Sequence, residues 1–283
     1  ALAVPRGDLR LAYDPASGLI INRAFDPARV DYDVAYENSL HFSPRFQAYA
    51  QELAGELIER HDLRDKTVLE IACGQGDFLR LLCAGGDNRG IGFDPAHDPA
   101  DAAHDPRIEF VREYYTPAHA ERRADLVCCR HALEHIPDPV AFLKQLRATL
   151  ADCDEVIVFF EVPNGLYTLR HQGIWDLIYE HCTYFVPDSL RWCFQRAGFV
   201  VEDVRATFDG QFLTLTARCA AVETDAAPPQ DVQLVDDVAR FADLYHRKVA
   251  EWTARLADLR AASRTAVVWG SGSKGGTRSL IHI

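Results

Sequence analysis

A short segment with one acid and two glycines is the first place where this chain can bind a ligand. The apolar run 68–71 contains Glu70. It is followed by Gly74 and Gly76, and an amphipathic pattern starts at Asp77. This order predicts a buried strand, a tight turn and a helix N-terminus, where α/β sheets bind ligands. Glycine lets the backbone approach a ligand closely because it has no Cβ. Glu70 can accept hydrogen bonds from a cationic or hydroxylated ligand.

A second acid follows at the distance expected for a nucleoside site. Asp94 ends the next apolar segment, about 20 residues further on, where an acid can accept hydrogen bonds from both ribose hydroxyls. The alternative is that Asp94 only forms a turn before Pro95. A dinucleotide fingerprint would also have a third glycine near Leu79, where a leucine stands instead. The spacing thus indicates a nucleoside but leaves its identity open.

Histidines in two later segments are candidates for proton transfer or metal binding. His181 follows Glu180, and a histidine with an ordinary pKa of ~6.5 can act as a base near neutral pH; the alternative is a buried structural histidine. His131 and His135 are four residues apart like a metalloprotease pair. Ile136-Pro137 interrupts the helix that such a pair needs, and no third ligand is evident, so no metal site is predicted.

These motifs resemble those of class I S-adenosylmethionine (SAM) dependent methyltransferases. The acid and glycines resemble that family's first motif, with Ala72 where it most often has a glycine, and residues 133–136 resemble its motif after the fourth strand. Residues 180–185 are similar to the Glu-His-x-x-Tyr-Phe signature of bacterial C-methyltransferases, some of which act on nucleotide-linked deoxysugars. The Tyr-x-x-Ser lead-in (36–39) and the glycine element (270–275) of that family are also matched. Its N-terminal zinc-binding segment and complete C-terminal Rossmann-like domain are not present in full.

The resemblance implies a cofactor and a set of site residues. SAM is the implied methyl donor and S-adenosylhomocysteine the product. His181 is the implied base, which we expect Glu180 to polarise and Tyr36 to assist. The expected SAM-binding residues are Glu70, Ala72, Cys73, Gly74, Gly76, Asp94, Glu113, Tyr114, Arg130, His131 and His135.

The elements that position these residues alternate between strands and helices. Apolar segments predict strands at 67–72, 89–93, 108–111, 125–129 and 155–160, with helices between them. This alternation predicts an α/β fold with a doubly wound parallel sheet. Two more strands, at 200–207 and 211–218, predict an antiparallel terminal hairpin. The arrangement resembles the seven-stranded Rossmann-like methyltransferase fold.

We expect five parts along the chain. A loop-rich lead-in or substrate lid (1–45) precedes the SAM-binding domain (46–220), a linker (221–231) and a long helix (232–264). Residues 265–283, with a strand at 265–269, are expected to start a truncated Rossmann-like domain. We expect the apolar stripe of the long helix to pack on its own domain, and a homodimer contact is the alternative.

Composition bears on partners and on the cellular compartment. A formal net charge of −12, with no Lys/Arg cluster, argues against nonspecific nucleic-acid binding. We therefore expect a small-molecule acceptor and no nucleic-acid partner. Eight scattered cysteines without a Cys-x-x-Cys pair indicate reduced thiols. With no signal peptide and no membrane-spanning apolar segment, we expect a cytoplasmic protein without a membrane partner.

Several functions stay open at this stage. The leading hypothesis is methyl transfer to a small molecule, with C-methylation of a nucleotide-linked sugar or another carbonyl-activated acceptor as its sharper form. O- or N-methylation of another metabolite is the nearest alternative. A nucleotide-sugar oxidoreductase that uses the glycine motif at 270–275 and a catalytically silent SAM-binding scaffold are alternatives of other classes.

Overall fold

The computed structural model describes residues 7–30, 43–98, 100, 105–150, 155–219 and 232–267. The strands within these ranges are β1 (Leu11–Asp14), β2 (Leu19–Asn22), β3 (Thr67–Ile71), β4 (Arg89–Phe93), β5 (Ile108–Val111), β6 (Leu126–Arg130), β7 (Ile157–Pro163), β8 (Thr183–Tyr184), β9 (Phe199–Thr207) and β10 (Phe212–Cys219). The α-helices are α1 (Pro44–His61), α2 (Asp77–Gly86), α3 (Pro139–Thr149), α4 (Gly165–His171), α5 (Pro187–Arg196) and α6 (Val232–Ala261).

Seven strands form the central sheet in the order β5-β4-β3-β6-β7-β10-β9. Strands β3 to β7 pair in parallel, while β10 pairs antiparallel with both β7 and β9. The predicted doubly wound sheet with its terminal hairpin is therefore confirmed. The chain leaves β3 in one direction toward β5 and returns on the other side at β6, so a topological switch point lies between β3 and β6. Open α/β sheets bind ligands at the carboxyl ends of the strands beside such a point.

The sheet is covered on both faces, which explains the apolar character of its central strands. Along β3, Val68 belongs to the core on one face, and Leu69 and Ile71 belong to the core on the other. Strand β7 is buried at every position. Two-sided burial of this kind favours continuous apolar runs in parallel strands.

The lead-in contains a small second sheet where the sequence predicted loops. Strands β1 and β2 form a hairpin, and β2 pairs antiparallel with β8. This pairing lays the lead-in against the segment that carries His181. The helix predicted to start at Ser43-Pro44 is present, because the Ser43 hydroxyl accepts a hydrogen bond from the Phe46 N–H at 3.5 Å.

Helix α6 is long, as predicted, and its first half packs against the domain. Leu234 is 1% exposed and belongs to a third core cluster with Ile20, Leu169, Tyr184 and Val186. Residues 265–267 form no strand, and nothing in the described ranges pairs with them; a strand needs such a partner for its backbone hydrogen bonds. Among the helices that the structure describes, none is long and apolar enough to cross a membrane.

Candidate active site

In the glycine turn after β3, every second residue from 72 to 76 has a left-handed backbone conformation. Ala72, Gly74 and Gly76 have φ values of 55°, 56° and 80°. Gly76 is the N-cap of α2, and a Cβ there would lie 2.5 Å from the Phe110 ring. The turn needs glycine at this position for both reasons, whereas Ala72 adopts a conformation that L-residues rarely hold.

A cavity of about 540 Å³ opens beside this turn, a volume within the range of small-molecule sites. Its wall combines the turn, the carboxyl ends of β4 and β6, and the segment before β8. The predicted site residues that line it are Glu70, Ala72, Cys73, Gly74, Asp94, Glu113, Tyr114, Arg130, His131, His135 and His181. Gly76 and Glu180 are not in the wall. The cavity is also lined by residues that were not predicted as site residues, namely Phe46, Gln75, Trp175, Asp176, Ile178 and Phe212.

Asp94 joins the glycine turn to the end of β4. Its carboxylate accepts hydrogen bonds from the Gly74 N–H and the Ala96 N–H, each at 2.8 Å. The turn-forming alternative is thus part of its role, because Ala96 follows the Asp94-Pro95 turn. The same carboxylate lies on the cavity wall, within the reach of a ligand.

Glu70 is a buried acid in the cavity wall, and only 3% of it is exposed. One carboxylate oxygen accepts a backbone hydrogen bond from Leu79, while Oε2 has no hydrogen-bond partner among the described residues. Burial raises the pKa of Glu70 to about 8, against the opposing effect of the nearby Arg130 guanidinium. Such a carboxyl is suited to receive donors from a polar or cationic ligand.

Arg130 is held by a buried hydrogen-bond network that the sequence did not reveal. Its Nε donates to Glu161 Oε2 at 2.5 Å, and the Tyr49 hydroxyl donates to Glu161 Oε1 at 2.8 Å. Burial raises the pKa of Glu161, but Arg130 and His131 outweigh it and keep that pKa below its ordinary value. The guanidinium also lies 4.1 Å from the Phe78 ring centroid. The ion pair therefore fixes the orientation of Arg130 at the cavity wall.

Glu134, His135 and His181 form a cluster in the cavity wall. The two imidazole rings are 4.8 Å apart between centroids and nearly perpendicular, at 88°. Burial lowers the pKa of His135 to about 4, and burial with the neighbouring His135 lowers the pKa of His181. Both rings are therefore neutral at pH 7. Burial also raises the pKa of Glu134 well above its ordinary value.

The partners of the two histidines differ from the sequence-based expectation. His181 Nδ1 donates to the Asp176 carbonyl at 2.8 Å, whereas the expected partner was Glu180. The backbone of Glu180 instead forms a hydrogen bond with His135. Backbone geometry of this kind leaves no signal in residue type or spacing. Tyr36, the 36–39 lead-in and the 270–275 glycine element lie outside the described residues.

Comparison with known proteins identifies the family. A family model described as "Methyltransferase domain" matches residues 45–204, more than half of the chain. This chain belongs to the methyltransferase domain family. Residues 45–204 are thus a SAM-dependent methyltransferase domain, as the motifs at 70–76 and 133–136 implied. SAM is accordingly its cofactor.

Relatives of this methyltransferase have different names. The tRNA U34 carboxymethyltransferase of Alteromonas mediterranea is 27% identical over 198 residues, which are 65% of this chain and 58% of the relative. The ubiquinone biosynthesis O-methyltransferase of Actinobacillus pleuropneumoniae is 29% identical over 112 residues, which are 35% of this chain and 46% of that relative. The solved structure of human N-acetylserotonin methyltransferase with SAM is 17% identical, with a TM-score of 0.46, over 62% of this chain and 55% of that one. The chain spans about half the length of the curated relatives it matches.

The prediction that nucleic acid is excluded as a partner of this methyltransferase is wrong. Several of its relatives are named tRNA U34 carboxymethyltransferase. The prediction was based on the net charge of −12. Net charge describes the whole molecule, whereas binding depends on the local potential of the contacting surface. An acidic chain can therefore still belong with proteins that act on tRNA.

Proposed function

We propose that this methyltransferase transfers the methyl group of SAM to a carbonyl-activated acceptor, and that a nucleotide-linked sugar is the acceptor class. The observation that supports this proposal is the orientation of His181. Its Nδ1 donates to the Asp176 carbonyl at 2.8 Å, so Nε2 keeps a lone pair. His181 also lines the same cavity as Glu70 and Asp94. A neutral imidazole thus shares one cavity with the acids proposed for the methyl donor.

The proposed division of the cavity follows from its chemistry. Asp94 offers carboxylate oxygens to the ribose hydroxyls of SAM, and Glu70 offers its unpartnered Oε2 to the cationic part. SAM supplies the activated methyl group. The protein aligns acceptor, methyl carbon and sulfur and excludes water. The acceptor then occupies the end of the cavity beside His135 and His181.

A carbon acceptor requires removal of a proton before transfer. In the proposed step, His181 Nε2 takes the proton from the carbon beside the carbonyl, and the electron pair of that C–H bond forms an enolate. SAM, held by Glu70 and Asp94, would supply the methyl group that this carbon acquires, and S-adenosylhomocysteine would be the product. Tyr36 is proposed to assist His181, and the Asp176 carbonyl takes the orienting role that the sequence assigned to Glu180.

A tRNA nucleotide is a second candidate acceptor. The observation that favours it is the match of 65% of this chain to a relative named tRNA U34 carboxymethyltransferase. The two candidates share a nucleotide portion and differ in what surrounds the reacting atom. Transfer of tritiated methyl from SAM to a panel of nucleotide-linked keto sugars and to unmodified tRNA separates them.

The variant His181→Ala tests the proposed mechanism. We expect it to bind S-adenosylhomocysteine by isothermal titration as wild type does, and to lose about 10²–10⁴-fold in turnover. The matched control is His171→Ala, because His171 is an exposed histidine at the end of α4. Wild-type turnover in His181→Ala would remove this side chain from the mechanism, whichever acceptor is used.

A further inference from the structure

We propose that Glu134, His135 and His181 form a binding site for one divalent transition-metal ion. One candidate ligand atom from each side chain lies within 4.8 Å of the other two. The set differs from the His131/His135 pair that the sequence raised and for which it offered no third ligand. His131 Nε2 instead lies 3.7 Å from Glu161 Oε1. The inference goes beyond the proposed function and does not depend on the identity of the acceptor.

The fold holds these three side chains together from two distant segments. Glu134 and His135 lie in a short 3₁₀ helix, Leu133–His135, directly after β6. His181 lies two residues before β8. The Cys182 N–H donates to the Glu134 carbonyl at 3.0 Å, and the Thr183 hydroxyl donates to the Ile136 carbonyl at 3.2 Å. The site is therefore built by tertiary structure before any ion binds.

The carboxylate of Glu134 provides an independent observation that points to a ligand. Only 2% of Glu134 is exposed, and its Oε2 has no hydrogen-bond partner in the part of the chain that the structure describes. A buried polar atom without a partner is energetically unfavourable. Coordination of a cation would satisfy this oxygen, and both neighbouring histidines can act as ligands to the same cation.

The hydrogen bonds around the two histidines are those of metal ligands. His181 Nδ1 donates to the Asp176 carbonyl, and the His135 ring forms a hydrogen bond with the backbone of Glu180. Metal-binding histidines commonly donate their second ring N–H to a carbonyl or carboxylate, which fixes the tautomer and the ring orientation. Both rings therefore have a supporting contact of the required type.

The donor set indicates the class of metal and its role. Two imidazoles and one carboxylate suit Zn²⁺, Fe²⁺, Co²⁺ or Mn²⁺ better than Mg²⁺ or Ca²⁺, which prefer oxygen ligands. Three protein ligands leave coordination positions open, and all three residues line the cavity. An acceptor oxygen can bind there and become more acidic. With the ion bound, His181 Nε2 would be a ligand, so the proton transfer to His181 proposed above applies to the metal-free protein.

Metal titration tests the proposal directly. The full chain is treated with a chelator, desalted and titrated with Co²⁺, with visible absorption as the readout and Zn²⁺ competition as a second measurement. We expect one ion per chain without a thiolate charge-transfer band, which excludes binding by the cysteines. Glu134→Gln and His135→Asn should each weaken binding at least about tenfold. His171→Asn, which removes an exposed histidine, should bind as wild type does.

Two results would overturn the metal site: no Co²⁺ or Zn²⁺ binding by wild type, or wild-type affinity in both Glu134→Gln and His135→Asn. Far-UV circular dichroism and thermal unfolding of every variant show whether the protein is folded. Metal binding without methyl transfer to any tested acceptor would contradict the proposed function alone. Methyl transfer by a wild-type protein that binds neither Co²⁺ nor Zn²⁺ would contradict the metal site alone.

Discussion

At the scale of single residues, Glu70 shows how burial gives an ordinary acid a special protonation state. Burial raises its pKa to about 8, while Arg130 acts in the opposite direction and Asp77 and Asp94 add to the rise. The folded chain therefore holds a proton on Glu70 at pH 7, where an unfolded glutamate is ionised. A cationic ligand at Oε2 would favour release of that proton.

This protonation state predicts how stability depends on pH. Because the folded pKa lies above the unfolded value of 4.5, the stabilising contribution is complete below pH 4.5 and is lost as pH rises through about 8. Between pH 6.5 and 7.5, Glu70 should lower the free energy of unfolding by at most about 1.4 kcal/mol per pH unit. Urea unfolding of wild type and Glu70→Gln measures the difference. Equal slopes for the two proteins would contradict the assignment.

Single residues also mark where sequence reasoning ends. The acids and glycines of the SAM motif could be predicted because their spacing follows from one strand and one turn. The Arg130–Glu161–Tyr49 network could not, since the Tyr49 hydroxyl reaches Glu161 across 112 residues of chain. The same holds for the contact of His181 with Asp176, which depends on the backbone path of residues 176–181.

At the scale of elements, the turn between β3 and α2 combines a required glycine with a strained alanine. Ala72 and Gly76 both have positive φ values, 55° and 80°. An L-residue in this region costs roughly 1–2 kcal/mol relative to right-handed backbone. Alanine at position 72, where the family most often has glycine, thus strains the backbone locally, and the turn keeps its shape despite this strain.

Two substitutions in this turn should have opposite effects. Ala72→Gly should raise the free energy of unfolding by up to about 1 kcal/mol, because strain relief exceeds the entropic cost of glycine. Gly76→Ala should lower the free energy of unfolding by at least about 1 kcal/mol. The alanine would have to adopt a positive φ, and its Cβ would lie 2.5 Å from the Phe110 ring. Thermal unfolding of both variants is the measurement. Destabilisation by Ala72→Gly would show that the turn is not strained there.

The elements themselves could be predicted to different degrees. The strands of the central sheet follow from apolar runs, and their observed limits lie close to the predicted ones, such as Arg89–Phe93 for 89–93. The β1–β2 hairpin was not predicted, because Asp-Pro breaks such as Asp14-Pro15 between its two strands indicate loops. The third strand of this small sheet, β8, has two residues and lies far along the chain from β1 and β2. Such short strands depend on tertiary pairing and have no periodicity of their own.

At the scale of the whole molecule, a third core joins parts of the chain that are far apart in sequence. Ile20 of β2, Leu169 of α4, Tyr184 of β8 and Leu234 of α6 are all buried in it. An ion pair between Arg170 and Asp237, at 2.7 Å, lies at the same α4–α6 contact. Through Tyr184 and Val186, this core holds the segment that directly follows His181.

The first half of α6 should therefore contribute to stability and its second half should not. Leu234 is 1% exposed, so Leu234→Ala should lower the free energy of unfolding by about 2–4 kcal/mol, through lost burial and the cavity that remains. Trp252, on the same helix, is 40% exposed. Trp252→Ala should therefore change the free energy of unfolding by less than about 0.5 kcal/mol. Urea unfolding of both variants at one pH measures the two effects. If Trp252→Ala costs as much as Leu234→Ala, the second half of α6 must also be buried in the folded protein in solution.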